Sequence, residues 1–116
     1  MASRNSALVQ QQADFTVAVA KLILVAKAQH VTVTLREVYR PGWLARLYAR
    51  LGSGIRNSQH TDGLAVDLAL YISGVYQTKS AAYARLGAAW EEADNRARWG
   101  GDFTKPDGNH FEFIDP

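Results

Sequence analysis

An aspartate in the middle of an apolar run constrains this chain more than any other feature. In Gly63-Leu64-Ala65-Val66-Asp67-Leu68-Ala69-Leu70 the residues around Asp67 are ones a fold buries. An ionised carboxylate taken out of water costs several kcal/mol unless it is paired, hydrogen-bonded or bound to a cation. Ser58-Gln59-His60 and Asn109-His110-Phe111-Glu112 supply two histidines as co-ligands. Cysteine is absent, which excludes a disulfide framework and a thiolate site. Imidazole and carboxylate remain, and two histidines with one aspartate imply zinc, with a coordination position left over for water. Such an ion lowers the pKa of its water to about 7.

Each of these residues also has an ordinary reading. Asp67 can be satisfied by backbone or by an arginine, His110 can be an edge-strand histidine, and His30 reads as a helix-terminal residue. Asp62 lies in Thr61-Asp62-Gly63 and Asp107 in Pro106-Asp107-Gly108, where aspartate is a common turn former. Asp107 nevertheless stands three residues before His110, in a loop able to bring a proton acceptor near the metal. Arg40 ends a strand pattern before Pro41, from where it can reach a carboxylate or a developing oxyanion. Ser58 can donate a hydrogen bond in the same cleft. Glu37 and Glu112 read as supporting groups rather than bases, and Trp99 and Phe103 as groove walls or packing anchors.

The chain has 116 residues, a length that fits one domain with a genuine core. At 47% hydrophobic and 21% charged it matches neither a disordered nor a fibrous class. The net charge is +2, with Arg36, Arg40, Arg46, Arg50 and Arg56 in the first half. A solvated surface, nucleic acid or an acidic cell-wall polymer all fit that balance, with retention on nucleic acid predicted to be steeply salt-dependent. The N-terminus lacks a basic stretch followed by an apolar one, and Lys21 and Lys27 interrupt the run from residue 15 to 28. We therefore expect no signal peptide and no membrane insertion. A protein made in the cytoplasm that acts outside it must then be let out by another factor.

Phe15, Val19, Leu22, Ile23 and Ala26, with Leu8 upstream, predict a long helix ending near Gln29. Val31-Thr32-Val33-Thr34-Leu35-Arg36 alternates as a strand continuing toward Arg40, and Pro41-Gly42 breaks it. Leu44, Leu47, Tyr48 and Leu51 predict a short helix stopped at Gly52 or Gly54, and residues 55–61 a loop. Residues 64–70 form a strand with Leu64, Val66, Leu68 and Leu70 on one face and Ala65, Asp67 and Ala69 on the other. A third helix is expected over residues 80–95, with Ala82, Leu86, Ala89, Trp90 and Ala93 as its stripe. Residues 99–103 and 105–109 are loop signals. The last strand, residues 110–114, puts His110 and Glu112 on one face and Phe111 and Phe113 on the other.

Together, Ser58-x-His60-x-x-Gly63-x-Ala65-x-Asp67, Trp99-Gly100-Gly101-Asp102-Phe103 and Asp107-x-x-His110-Phe111-Glu112 closely resemble a family of zinc peptidases. These are the D-alanyl-D-alanine carboxypeptidases and L-alanyl-D-glutamate endopeptidases, peptidase family M15, and the likeness is greatest to the short bacteriophage endolysins. With Glu37-Val38-Tyr39-Arg40 the likeness spans residue 37 to the C-terminus. It implies an α+β fold of the Hedgehog/DD-peptidase type, a small antiparallel sheet flanked by helices. It further implies zinc on His60, Asp67 and His110, with Asp107 as general base and acid where many members carry Glu. Arg40 and Ser58 are implied to bind substrate and polarise the scissile carbonyl. The implied substrate is a peptidoglycan stem peptide, cut at L-alanyl-D-glutamate or, second, at D-alanyl-D-alanine. The expectation is a single catalytic domain without a separate wall-binding domain, monomeric and not binding nucleic acid. It is made in the host bacterial cytoplasm and reaches the wall after release by another factor. A zinc-stabilised, non-catalytic module binding the wall or a partner is the alternative.

Overall fold

Strict alternation of large and small side chains over residues 64–70 builds the strand on which the rest of the chain is arranged. The computed structural model describes residues 4–52, 59–60 and 62–114, and within them the fold is α+β. Central strand β2 (Ala65–Ile72) pairs antiparallel with β1 (Thr32–Leu35) on one side and with β5 (His110–Phe113) on the other. Strand β4 (Ala97–Trp99) pairs with the far side of β5, and β3 (Val75–Tyr76) folds back on the end of β2. Between β2 and β3, Ser73 (φ 51°) and Gly74 (φ 80°) both take the left-handed conformation that a two-residue hairpin turn requires.

One face of this sheet is the core. Leu64, Val66, Leu68, Leu70, Phe111 and Phe113 are buried there, as the alternation requires. Helix α1 (Arg4–Ala28) lays Phe15, Ala18, Leu22 and Ala26 over them, and α3 (Ala84–Ala93) adds Leu86 and Trp90. Phe15 meets Trp90 and Phe113 edge-on, at ring separations of 5.7 and 5.2 Å. Burying a side chain such as Phe15 contributes about 1.5–3 kcal/mol, before the loss of conformational freedom is subtracted. The Trp90 indole N–H donates to the Glu112 carbonyl at 3.1 Å, so the largest core side chain leaves no polar atom stranded.

Several expectations change. Helix α1 ends at Ala28 as anticipated, and His30 follows it with a left-handed φ of 60°. By length and composition, Ser6–Ala28 of α1 is apolar enough to cross a membrane even with Lys21 and Lys27 in the run. Two lysines do not outweigh the apolar residues around the whole helix, including exposed Val9, Val17 and Leu24. Strand β1 stops at Leu35, although Arg36 and Glu37 still bridge to Asp67 through main-chain bonds of 2.8 Å each. Helix α2 (Gly42–Arg50) forms, but Leu47 and Leu51 of its apolar stripe are exposed, so it stands outside the core. Gly54 and most of the loop predicted over residues 55–61 lie outside the described residues.

The third helix begins as a 3-10 turn, Ser80–Tyr83, before becoming α3, and Tyr83 and Gly87 replace Ala89 and Ala93 in its buried stripe. Residues 99–103 are not simply loop. Trp99 closes β4, and Gly100–Asp102 form a second 3-10 turn. Trp99 lies flat against Gly87, where a Cβ would overlap the indole ring. A Gly87→Ala variant is therefore expected to lose about 1–3 kcal/mol from overpacking, read as a lower denaturant midpoint with an unchanged m-value.

Candidate metal centre

Antiparallel register sets the first two candidate ligands face to face. Asp67 of β2 lies directly opposite His110 of β5, on the side of the sheet away from the core. His60 comes from the turn before β2, which the main chain holds closely. The Leu64 amide donates to the Gln59 carbonyl at 2.9 Å and the Gly63 amide to the His60 carbonyl at 3.2 Å. Gly63 has φ +68°, a conformation glycine adopts without a steric cost. The Gln59 side chain donates to the Phe113 carbonyl at 2.6 Å, and the Arg40 amide to the His60 carbonyl at 2.9 Å. This turn is thereby tied to both β5 and the segment after β1.

The side chains converge. Asp67 Oδ1 is 3.2 Å from His60 Nε2 and 3.1 Å from His110 Nδ1, and the three ligand atoms all lie within 4.8 Å of one another. Around zinc, bonds of about 2.0–2.1 Å at tetrahedral angles separate ligand atoms by about 3.3 Å. The two measured edges differ from that by only a few tenths of an ångström. Two nitrogens and one carboxylate oxygen at this spacing fit a divalent metal ion, and the histidines are buried while Asp67 keeps partial access to solvent.

Burial works against the charge on Asp67, but the hydrogen bonds and positive charge of His110 and His60 win and hold its carboxyl at about 2. Burial would likewise lower the basicity of His110. The hydrogen bonds to Asp67 and Glu112 outweigh it and raise the group to about 9. Asp107 is exposed at its edge yet shielded enough that desolvation raises its pKa; His110 and His60 oppose the rise and the Asp67 charge adds to it. The Asp107 carboxyl thus feels the charges of all three cluster residues.

The loop carrying Asp107 is clamped. Its amide donates to the Gly100 carbonyl at 2.8 Å, and its own carbonyl accepts from the His110 amide at 3.1 Å. A side chain at Gly100 would collide with that carbonyl. The Trp99 indole N–H donates to the Gly108 carbonyl at 2.7 Å, and the Gly108 amide donates to Ser80 Oγ at 2.9 Å. A cleft of about 180 Å³ opens beside Asp107, with Gln77, Ser80, Tyr83 and Asn109 among its walls.

Residues 52–113 match a family model of the M15 peptidases described as D-alanyl-D-alanine carboxypeptidase. The chain belongs to the M15 peptidase family. It is also similar to the crystal structure of the Serratia marcescens L-Ala D-Glu endopeptidase ChiX, at 30% identity and a TM-score of 0.63. That match covers 72% of this chain and 68% of ChiX. No curated protein matches the chain.

In this M15 chain the structure brings His60, Asp67 and His110 together, and the main chain of Asp107 is bonded to that of His110. Arg40 lies close by, with its Nε donating to Glu37 Oε1 at 2.8 Å and its guanidinium over the Tyr48 ring. Ser58 lies outside the described residues. Sequence reasoning did not assign Ser80, Gly100 or Arg98 to the site, because none belongs to a local ligand pattern. Glu112 carried one signal, its place two residues from His110 on the same face, and its Oε1 is 2.6 Å from His110 Nε2.

The two large shifts give opposite pH dependences in metal-free protein. Asp67, held below its usual 3.8, stabilises the fold above that pH and loses its contribution as pH falls through about 2. His110, raised from 6.5 to about 9, stabilises fully below 6.5 and loses its contribution as pH rises through 9. Denaturant midpoints measured in chelator are therefore expected to decline from pH 6.5 to 9. Saturating zinc is expected to abolish that decline, because the metal takes the imidazole without its Nδ1 proton.

Proposed function

We propose that this M15 peptidase is a zinc-dependent peptidoglycan hydrolase of the endolysin type that cuts the L-alanyl-D-glutamate bond of the stem peptide. The observation that carries the reading is the meeting of His60, Asp67 and His110 around one point, with Asp107 in the loop whose main chain is bonded to His110. The named activity of ChiX, in a chain 30% identical, favours this bond. Zinc bound there would supply Lewis-acid polarisation of a water and of the scissile carbonyl. Asp107 takes the proton of the attacking water and later delivers it to the departing amine, and its raised pKa suits both transfers. Arg40, steadied by Glu37 and Tyr48, binds a substrate carboxylate or the developing oxyanion. Ser58 is proposed as a further hydrogen-bond donor to substrate. The protein acts as a monomer, is made in the host bacterial cytoplasm, and reaches the wall once another factor releases it.

The description of the matching family as D-alanyl-D-alanine carboxypeptidase favours that bond as the second reading. Purified walls incubated with the protein, with and without chelator, test both. New amino termini that vanish with chelator are expected, and mass spectrometry of the fragments identifies the bond. Sedimentation with walls and no new termini would leave a binding module instead. Asp107→Ala is expected to lower kcat about 10²–10⁴-fold while zinc content by metal analysis stays at one per chain. Asp67→Ala is expected to lose the metal as well.

A further inference from the structure

His110 has two ring nitrogens, and Nδ1 is the one that faces Asp67. Its other nitrogen, Nε2, is 2.6 Å from Oε1 of Glu112, a carboxylate whose side chain is 6% exposed. The second Glu112 oxygen, Oε2, is buried and makes no directed hydrogen bond. What faces it is Arg98 Nη2 at 3.0 Å, an electrostatic contact across the β4–β5 pair, where the two residues lie directly opposite. The Arg98 guanidinium in turn lies over the Phe103 ring, 4.7 Å from its centroid, and that ring is 5.5 Å from the His110 ring. Arg98, Glu112, His110 and Phe103 thus form a closed set of contacts on one side of the candidate metal centre.

We propose that Arg98 and Glu112 are positioning residues that fix which nitrogen of His110 is free to bind metal. Glu112 accepts the Nε2 proton, so the Nδ1 lone pair points at the site shared with Asp67. Arg98 Nη2, 3.0 Å from the other oxygen, holds the carboxylate in the orientation that presents Oε1 to His110. Arg98 meets Glu112 directly across the β4–β5 pair, so its influence on His110 runs through that carboxylate. Half its side chain is exposed, which makes it replaceable without opening the core.

The inference rests on the metal centre proposed above but not on peptidase activity, so the test reads zinc affinity of the full chain by chelator competition. Glu112→Ala is expected to weaken zinc binding about 10–100-fold. Glu112→Gln keeps an acceptor for Nε2–H and is expected to fall between that variant and the parent. Arg98→Met is expected to weaken binding about three- to tenfold in the parent and to have no further effect in the Glu112→Gln background. In the zinc-loaded parent, nitrogen NMR is expected to find the His110 proton on Nε2 and to lose its hydrogen-bond shift in Glu112→Ala. If Glu112→Ala does not fold, Arg98→Met alone and in the Glu112→Gln background decides. Equal zinc affinity across all variants, or metal on Nε2 of His110, overturns the proposal while leaving a wall-cleaving enzyme intact. A parent that binds zinc and cleaves no wall overturns the peptidase reading and leaves this one standing.

Discussion

The contact of Asp67 Oδ1 with two imidazoles is the point at which folding and chemistry depend on each other. An anionic side chain sits in a strand whose other face buries Val66, Leu68 and Leu70, and its desolvation is offset by His60 and His110. The same register that buries Phe111 and Phe113 turns His110 outward, opposite Asp67. A slip of one residue between β2 and β5 would exchange the faces, sending the histidine into the core and a phenylalanine to the site. The dry core and the candidate ligand set therefore depend on one hydrogen-bond pattern.

Support around the cluster is unequal. His60 is held mainly through backbone, by a glycine turn and by bonds from Gln59 and Arg40, while its Nδ1 lies 3.4 Å from the Val38 carbonyl. His110 is held through side chains, by Glu112 on one nitrogen and Asp67 on the other. The Asp107 loop is fixed by a third device, an indole seated on a helical glycine and bonded to Gly108. Packing of α3 against β4 is thus transmitted to the loop of the residue proposed to move protons.

Much of the site was legible before the fold. The residue types excluded thiolate chemistry, and the alternation over residues 64–70 placed Asp67 on the face away from the core. The same argument put His110 and Glu112 side by side. Helix α1 was legible from its buried stripe, though not its unusually apolar opposite face, because a charged residue interrupts a run without making the helix polar. Strand β4 was illegible. Three residues, Ala97, Arg98 and Trp99, are too few to show a period, and the glycines after them read as loop.

What the sequence determined by itself was the chemistry available and the face each strand residue would take, because those follow from side-chain type and a period of two. Tertiary structure alone decided that Arg98 faces Glu112 and that Trp99 clamps the Asp107 loop. Each of these is a contact between separate elements, set by strand pairing and by close approach at glycine. No local pattern encodes such distances, since they arise only when the sheet closes over its core.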